Sequence, residues 1–486
     1  MRMLPVVAGF IAVATFAPVA FSQAEYRIYN DHPRLFLDEG RLSRLRNDVE
    51  RQSQRWETLS GLIESGAAFP EKPLLDALLY RLKADEGAAM SAVEWSKSLA
   101  AGGISNAADL RLAALVYDWC HDVFPAAEQS ALRGAMATAL ETLLPQANLD
   151  VGLIRAGILA AIAIAGEWEG SEAALGQLID VHWKTQVEDA LNRGELADDG
   201  SALIAVLEVC HTVRHNLDVD LWGRSPDAIQ TIARSRLLSY YPLDIETPEG
   251  RARRPSIFGT DEATAQIQAP LYRIAETLMV AYEGNSQEFQ FLQGWLRNDR
   301  YSLRSPTTAI YEFLWVNPYL PGLTPQSSPR LAYDSVRGRL FGRNNWEETD
   351  IWIGYVNERL EIFADGRSTF VSAADKQAPL LFPGAAVILV KPPVKLTIAI
   401  PEGEGDVLSN GKVYLIGLNP GDTYGLKING RAPELITADP GGIVVIYNDP
   451  NADKRNIINF QKKLRIQVRP TLKPTDPRRG RPSLRP

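Results

Sequence analysis

Residues 107–144 read AADLRLAALVYDWCHDVFPAAEQSALRGAMATALETLL. Apolar residues return every three or four positions on both sides of Phe124-Pro125, the spacing of two α-helices that each bury a stripe, and the proline marks the break between them. The same alternation of helical run and short break continues from Asp38 to about Phe313, with further breaks at Phe69-Pro70, Gly194 and Gly284. Roughly ten such segments predict sequential antiparallel helices, enough for an α/α toroid of helical hairpins. No fixed period repeats, so a solenoid array is not expected.

The texture changes after SPTTAIYEFLWVNPYLPGLTPQSSPRL (305–331), where Pro318, Pro321, Pro325 and Pro329 crowd together. Beyond them come short β-rich runs such as DIWIGYV, AAVILVK, KVYLIGL and GGIVVIYND, separated by turn signals at Asn410-Gly411, Asn429-Gly430 and Pro440-Gly441-Gly442. These predict an antiparallel β-sandwich. The expected layout is a signal peptide over 1–24, a toroid over 25–314, a Pro-rich linker over 315–330, a sandwich over 331–468 and a disordered basic tail over 469–486.

With 45% apolar and 23% charged residues the chain is globular, and a net charge of -8 argues against a nucleic-acid partner. MRMLPVVAGFIAVATFAPVAFSQAEYR gives a basic start at Arg2, an apolar run from Leu4 to Phe21, and small residues Ser22 and Ala24. This reads as an export signal with the mature chain starting near Glu25 in the periplasm or outside the cell; an uncleaved anchor is the alternative. LIRAGILAAIAIAG (153–166) is short and carries Arg155, so it is expected in the core, and no stable membrane span is expected after cleavage. Cys120 and Cys210 sit in helical patterns, either as one disulfide or as two buried thiols.

Four stretches carry a family likeness. NDHPRLFLDEGRLSRLR (30–46) resembles the opening of heparinase II/III-like and alginate-lyase-like proteins. LRLAALVYDWCHDVFPAAEQSALRGAM (110–136) is similar to their helix ending in Tyr-Asp-Trp, PEGRARRPSIFGTDE (248–262) to a turn leading to a Gly-Asp pair, and LFGRNNWEETDIWIGYV (340–356) to the first strands of their β-domain. The resemblance implies a toroid followed by a sandwich, and β-elimination on a uronate-containing acidic polysaccharide without a cofactor.

Such chemistry needs a group that neutralises the uronate carboxylate, a base that takes the neighbouring carbon-bound proton, and an acid for the leaving oxygen. In LLSYYPLDIETPEGRARRPSIFGTDE (237–262) the resemblance makes Tyr240 or Tyr241 base and acid, with Arg251, Arg253 and Arg254 lowering the phenol pKa and gripping the polymer. Two aromatics capping a helix end, with arginines paired to Asp244, Glu246 and Glu249, is the structural alternative. By the same likeness Asn148 would be the neutraliser, although an Asn before Asp150 is also an ordinary helix cap. Asp199 and Asp261 stand where the family's Asp-Gly and Gly-Asp elements would contact substrate.

His211 and His215 stand four apart on one helix face, as a general base or acid or as a solvated helix end; no third ligand is near, so no metal is expected there. His32 is expected to order the opening of the chain, with His121 and His182 structural. No histidine follows His215, which excludes chemistry that needs a β-domain histidine. NDPNADKRN (448–456) lacks the glycine and distal glutamate of a calcium loop. Two other functions compete with the lyase. One is a noncatalytic glycan-binding or envelope assembly protein with Trp56, Trp95, Trp168, Trp183 or Trp222 as sugar platforms. The other is a glycoside hydrolase drawing paired carboxylates from Glu195, Asp198, Asp199 and Asp261.

Overall fold

The structure is a computed structural model that describes residues 26–29, 31–196, 200–247, 250–256, 262–298, 305–347, 349–371, 379–391, 394–398, 412–428, 434–447 and 464–470. The expected signal peptide, the 448–456 turn and residues 471–486 of the basic tail lie outside them. A helical N-terminal region is followed by a C-terminal region of strands.

The helices run α1 Glu39–Glu50, α2 Gln54–Glu64, α3 Lys72–Lys83, α4 Glu86–Gly102, α5 Ala107–Trp119, α6 Ala126–Leu143 and α7 Val151–Ala163. They continue with α8 Ser171–Gly176, a π-helical stretch Gln177–Glu188, α9 Asp189–Arg193, α10 Gly200–Leu217, α11 Pro226–Leu238, α12 Glu262–Tyr282, α13 Gln287–Asn298 and α14 Pro306–Trp315. Side-chain oxygens of Asp38, Ser53, Asp85, Asn106, Asp150 and Ser305 accept from the first free backbone N–H groups of α1, α2, α4, α5, α7 and α14. Those donors have no partner inside the helix, so the caps fix where each one starts.

Burial sorts the helices into two shells. From Leu110 to Trp119 all of α5 except Leu112 is buried, and α7 and α10 are nearly as enclosed, whereas α6 buries only Leu132, Met136, Ala137, Leu140 and Leu143 along one face. A helix apolar all round must be inner, and one with a single stripe outer. The inner members α3, α5, α7, α10, α12 and α14 pack successively, and α14 reaches α2. The 153–166 run is thus core, as its length indicated, and no helix among the described residues is long and apolar enough to cross a membrane.

The opening segment crosses the C-terminal ends of these inner helices. Asp118, buried at the end of α5, accepts from the backbone N–H of Arg34 (2.9 and 2.8 Å) and of Leu35 (2.7 Å) and meets His32 Nδ1 at 2.6 Å. The Arg34 guanidinium donates to the terminal carbonyls of α7 at Ile162 (3.0 Å) and Ala165 (3.0 Å), where helices present unpaired acceptors. Asn216 of α10 donates to Arg34 O at 3.0 Å and Trp119 Nε1 to Leu35 O at 2.8 Å. His32 does order the chain opening, and the Tyr-Asp-Trp stretch is its receptor.

Within 237–262, β1 Tyr240–Thr247 pairs antiparallel with β2 Gly250–Pro255, with Thr247 opposite Gly250. Alternation of Tyr241, Leu243 and Ile245 suits a strand with one face covered. Strands β3 Leu331–Asp334, β4 Arg339–Arg343, β5 Trp352–Val356, β6 Arg359–Ala364 and β7 Arg367–Val371 form an antiparallel meander. The remaining strands are β8 Leu380–Phe382, β9 Ala385–Leu389, β10 Val394–Ile398, β11 Lys412–Ile416, β12 Thr423–Ile428, β13 Glu434–Thr437, β14 Val444–Tyr447 and β15 Leu464–Pro470. They make a sheet of order β14-β11-β9-β8 and another of order β10-β15-β12-β13.

Residue parity stacks these sheets in three layers. Ala385, Val387, Tyr414 and Ile416 face Leu340, Ile353, Tyr355 and Leu360 of the meander. Their neighbours Ala386, Ile388, Val413 and Leu415 pack with Tyr424 of the third sheet. Since β10 departs to the third sheet, β11 returns beside β9 in parallel, so the middle sheet is mixed. Arg469 and Pro470, expected in the tail, end β15 opposite Gly425 and Tyr424. The outer face of the meander carries Phe341, Trp352 and Phe363 against Leu238 and Tyr241 of the helical region, with Trp352 Nε1 donating to Leu238 O at 2.8 Å.

Asp118→Ala would remove the acceptor of three donors at once, and is expected to cost roughly 3–5 kcal/mol, read as a lower urea midpoint at unchanged slope. Substituting exposed Asp122 to Ala in parallel is expected to change the midpoint little.

Candidate functional site

A cavity of about 340 Å³ opens at the C-terminal ends of α10, α12 and α14, lined by Phe36, Asp38, Arg41, His211, Arg214, His215, Asp218, Tyr282 and Trp315. The spacing of His211 and His215 places both on the face of α10 that turns to it. The side-chain carboxylate of Asp38 is engaged as the α1 cap, accepting from Arg41 N at 2.6 Å.

Two guanidiniums define the cavity. Arg41 lies 4.2 Å from the centre of the Trp315 ring and donates to Phe36 O at 2.9 Å; Arg214 lies 4.9 Å from that of Tyr282. No carboxylate among the described residues is within ion-pair distance of either. Burial pushes Arg41 down to about 10 against the opposing charge of Asp38, which leaves it cationic at neutral pH. Stacking on an aromatic face holds such a cation in place while leaving its edge donors free.

His211 sits between the rings of Trp315 (4.4 Å) and Tyr282 (4.9 Å), and its Nε2 faces Leu278 O at 3.1 Å. A carbonyl only accepts, so Nε2 carries the proton and Nδ1 is the acceptor. Burial, helped by the charges of Arg41 and Arg214, pushes His211 down to about 3 despite the Leu278 carbonyl. The imidazole is therefore neutral and a weak base. Tyr282 donates to Asp220 at 2.9 Å, and burial and nearby acidic groups raise its phenol far above the usual value.

The expected tyrosine pair lies elsewhere. Tyr240 is buried and donates to Glu276; burial first, then the Glu276 charge, raise its pKa well above 10, and the opposing Arg236 and Arg273 do not compensate. That is the reverse of the expected acidic phenol. Tyr241 is buried against the β-meander and donates to Glu361 at 2.7 Å. The Tyr240 ring packs in the helical core against Trp295, the Tyr241 ring packs on Trp352 and Phe363 of the meander, and neither lines the two cavities of this region. Arg253 pairs with Asp244 at 2.8 Å and donates to Pro242 O, as in the structural alternative. Arg251 and Arg254 are on β2, with side chains outside the described set, as are Asp199 and Asp261. Asn148 is exposed and is not the cap of α7, because Asp150 accepts from Leu153 N at 2.8 Å. His211 and His215 thus come together without Asn148 or either tyrosine.

Of the expected sugar platforms, Trp56, Trp183 and Trp222 are core, and Glu195 is exposed and paired to Arg193 at 2.8 Å. Cys120 and Cys210 are separate buried thiols. A second polar cluster went unread in the sequence. Arg111 forks onto buried Glu208 (2.8 and 2.6 Å), reaches Glu71 at 2.8 Å and Tyr311 at 2.8 Å, and Arg155 adds a bond to Glu208 at 3.2 Å. Burial alone would raise Glu208, but Arg111 and Arg155 outweigh it and hold the carboxylate low. Its signal was a charge set inside each of three apolar helical runs, Arg111, Arg155 and Glu208. Arg41 left no comparable mark, since a basic residue in a first helical turn is common.

No family model matches the chain, and no curated protein does. A solved structure described as "Glycoside hydrolase" aligns with 92% of this chain and 79% of its own, at 11% identity and a TM-score of 0.32.

Between about 6.5, where an unfolded histidine takes up its proton, and about 3, where His211 does so when folded, the unfolded state binds more protons. Stability is therefore expected to fall as pH drops through that window. His211→Gln is expected to flatten this part of a denaturation-midpoint profile against pH, whereas His215→Gln leaves it steeper than the His211 variant.

Proposed function

We propose that the protein binds an anionic saccharide in the Arg41–Arg214 cavity and works as an exported glycan-binding protein. The observation that carries this reading is the pair of guanidiniums laid on Trp315 and Tyr282 with no carboxylate partner among the described residues. Guanidinium forks match carboxylate or sulfate groups, aromatic faces pack against sugar rings, and the neutral His211 offers an acceptor to a hydroxyl. Acidic glycan chemistry asks for that combination of groups. Export, with residues 1–24 removed, belongs to the same proposal, as does the division into a helical domain ending near 314 and a strand domain starting near 331.

Polysaccharide β-elimination is the narrower reading. The sealed tyrosines do not support it, and His211 is too weakly basic to drive proton abstraction; in this cavity the reaction would rest on His215.

Alginate, heparan and hyaluronan oligosaccharides, titrated calorimetrically into the full chain, test both readings. At least one is expected to bind, and Arg214→Ala to weaken it about tenfold, the scale of one charge-assisted hydrogen bond. Absorbance from unsaturated ends is expected to stay flat. A rise abolished by His215→Ala would replace binding with elimination, and absence of binding to all three would overturn the proposal. Tyr240→Phe is expected to leave saccharide affinity unchanged while lowering stability by roughly 1–3 kcal/mol, because buried Glu276 loses a donor.

A further inference from the structure

A different cluster, at the ends of α5 and α7, brings together His32, His121 and Glu167. The two imidazoles stack at 3.8 Å with an 11° angle between planes. Glu167 Oε1 is 3.1 Å from His121 Nε2 and 3.5 Å from His32 Nε2, and one donor atom from each residue lies within 4.8 Å of the others. Two ligands of a tetrahedral zinc ion, at ordinary bond lengths, stand about 3.3 Å apart. The 3.5 Å separation from His32 is close to that edge, and the 3.1 Å separation from His121 is a hydrogen bond whose proton the ion would displace.

The surroundings orient the three donors. Asp118 accepts the proton of His32 Nδ1 at 2.6 Å, which directs the lone pair of Nε2 outward, and that buried Nε2 has no hydrogen-bond partner. A carboxylate behind the far nitrogen is the usual support of a metal-binding histidine. Glu167 is held the same way: Tyr117 OH donates to Oε2 at 2.7 Å and Arg133 Nη1 at 3.0 Å, so both restraints fall on one oxygen and Oε1 is turned to the imidazoles. His121 and Glu167 are only part-buried, so an ion has access to them.

We infer that His32, His121 and Glu167 form a binding site for a divalent transition-metal ion, with zinc the best match to two imidazoles and one carboxylate. Softer sites carry thiolates, and the hard cations magnesium and calcium prefer all-oxygen shells. The site uses none of the residues lining the Arg41–Arg214 cavity and stands independently of the saccharide proposal.

Chelator-stripped full-length protein titrated with zinc by calorimetry is expected to bind one ion, and to show a higher thermal midpoint with zinc than without. His121→Ala and Glu167→Gln, both at part-exposed positions, are expected to fold and to weaken binding at least tenfold. Cobalt substituted at the site is expected to give the intense visible absorption of a four-coordinate ion. Wild-type protein that binds no zinc, or unchanged affinity in both variants, overturns the inference. So does a loss of the ion in His215→Ala instead, which would put the ion in the cavity.

Discussion

The buried carboxylate of Asp118 is the constraint on which the helical region is organised. A charge at the end of α5, sealed from water, has to be met by donors, and the opening segment supplies them through the backbone of Arg34 and Leu35 and the ring of His32. Once bound, that segment cannot move without exposing Arg34 to lose its carbonyl partners on α7. Three inner helices, α5, α7 and α10, are thereby tied at one end by about five residues of chain. Phe36, Asp38 and Arg41 follow directly, so the placement of one wall of the cavity is a consequence of the same contact.

Charge inside the helical region is used in two ways. Around Glu208 the cations and anions satisfy each other, with Arg111 forked onto the carboxylate and Arg155 beside it, which holds the inner helices in register and leaves little for a ligand. At the cavity Arg41 and Arg214 are steadied by aromatic rings instead of carboxylates, and Arg41 commits one donor to Phe36 O. The phenol of Tyr240 belongs to the first kind. Arginines do stand near it, but the phenol is buried and hydrogen-bonded to Glu276, and both effects favour the protonated form.

The sheets contribute support more than chemistry. Trp352, Phe341 and Phe363 fill the outer face of the meander, and Leu238 and Tyr241 close onto them, so the hairpin β1–β2 is pressed between helices and strands. The middle sheet then buries both faces, one against each neighbour. A strand buried on both sides reads as a continuous apolar run, and AAVILV in β9 has that character.

Helical periodicity, the proline-bearing breaks and the turn signals after residue 331 were local properties, and they were enough to fix helices first and strands second. The His-Pro-Arg-Leu and Tyr-Asp-Trp stretches were also visible, and so was the i, i+4 pair His211 and His215, because four residues apart on a helix means one face. What a linear string does not carry is which distant groups share a space. Burial turned Tyr240 from a base into a strut, the departure of β10 set a third sheet on the other two, and Arg41 met Trp315 across 274 positions only when α1 closed over the end of α14. The pairing of His32 with His121 and Glu167 arose the same way, since pKa, cation availability and ligand geometry are set by neighbours in space and not by neighbours in the chain.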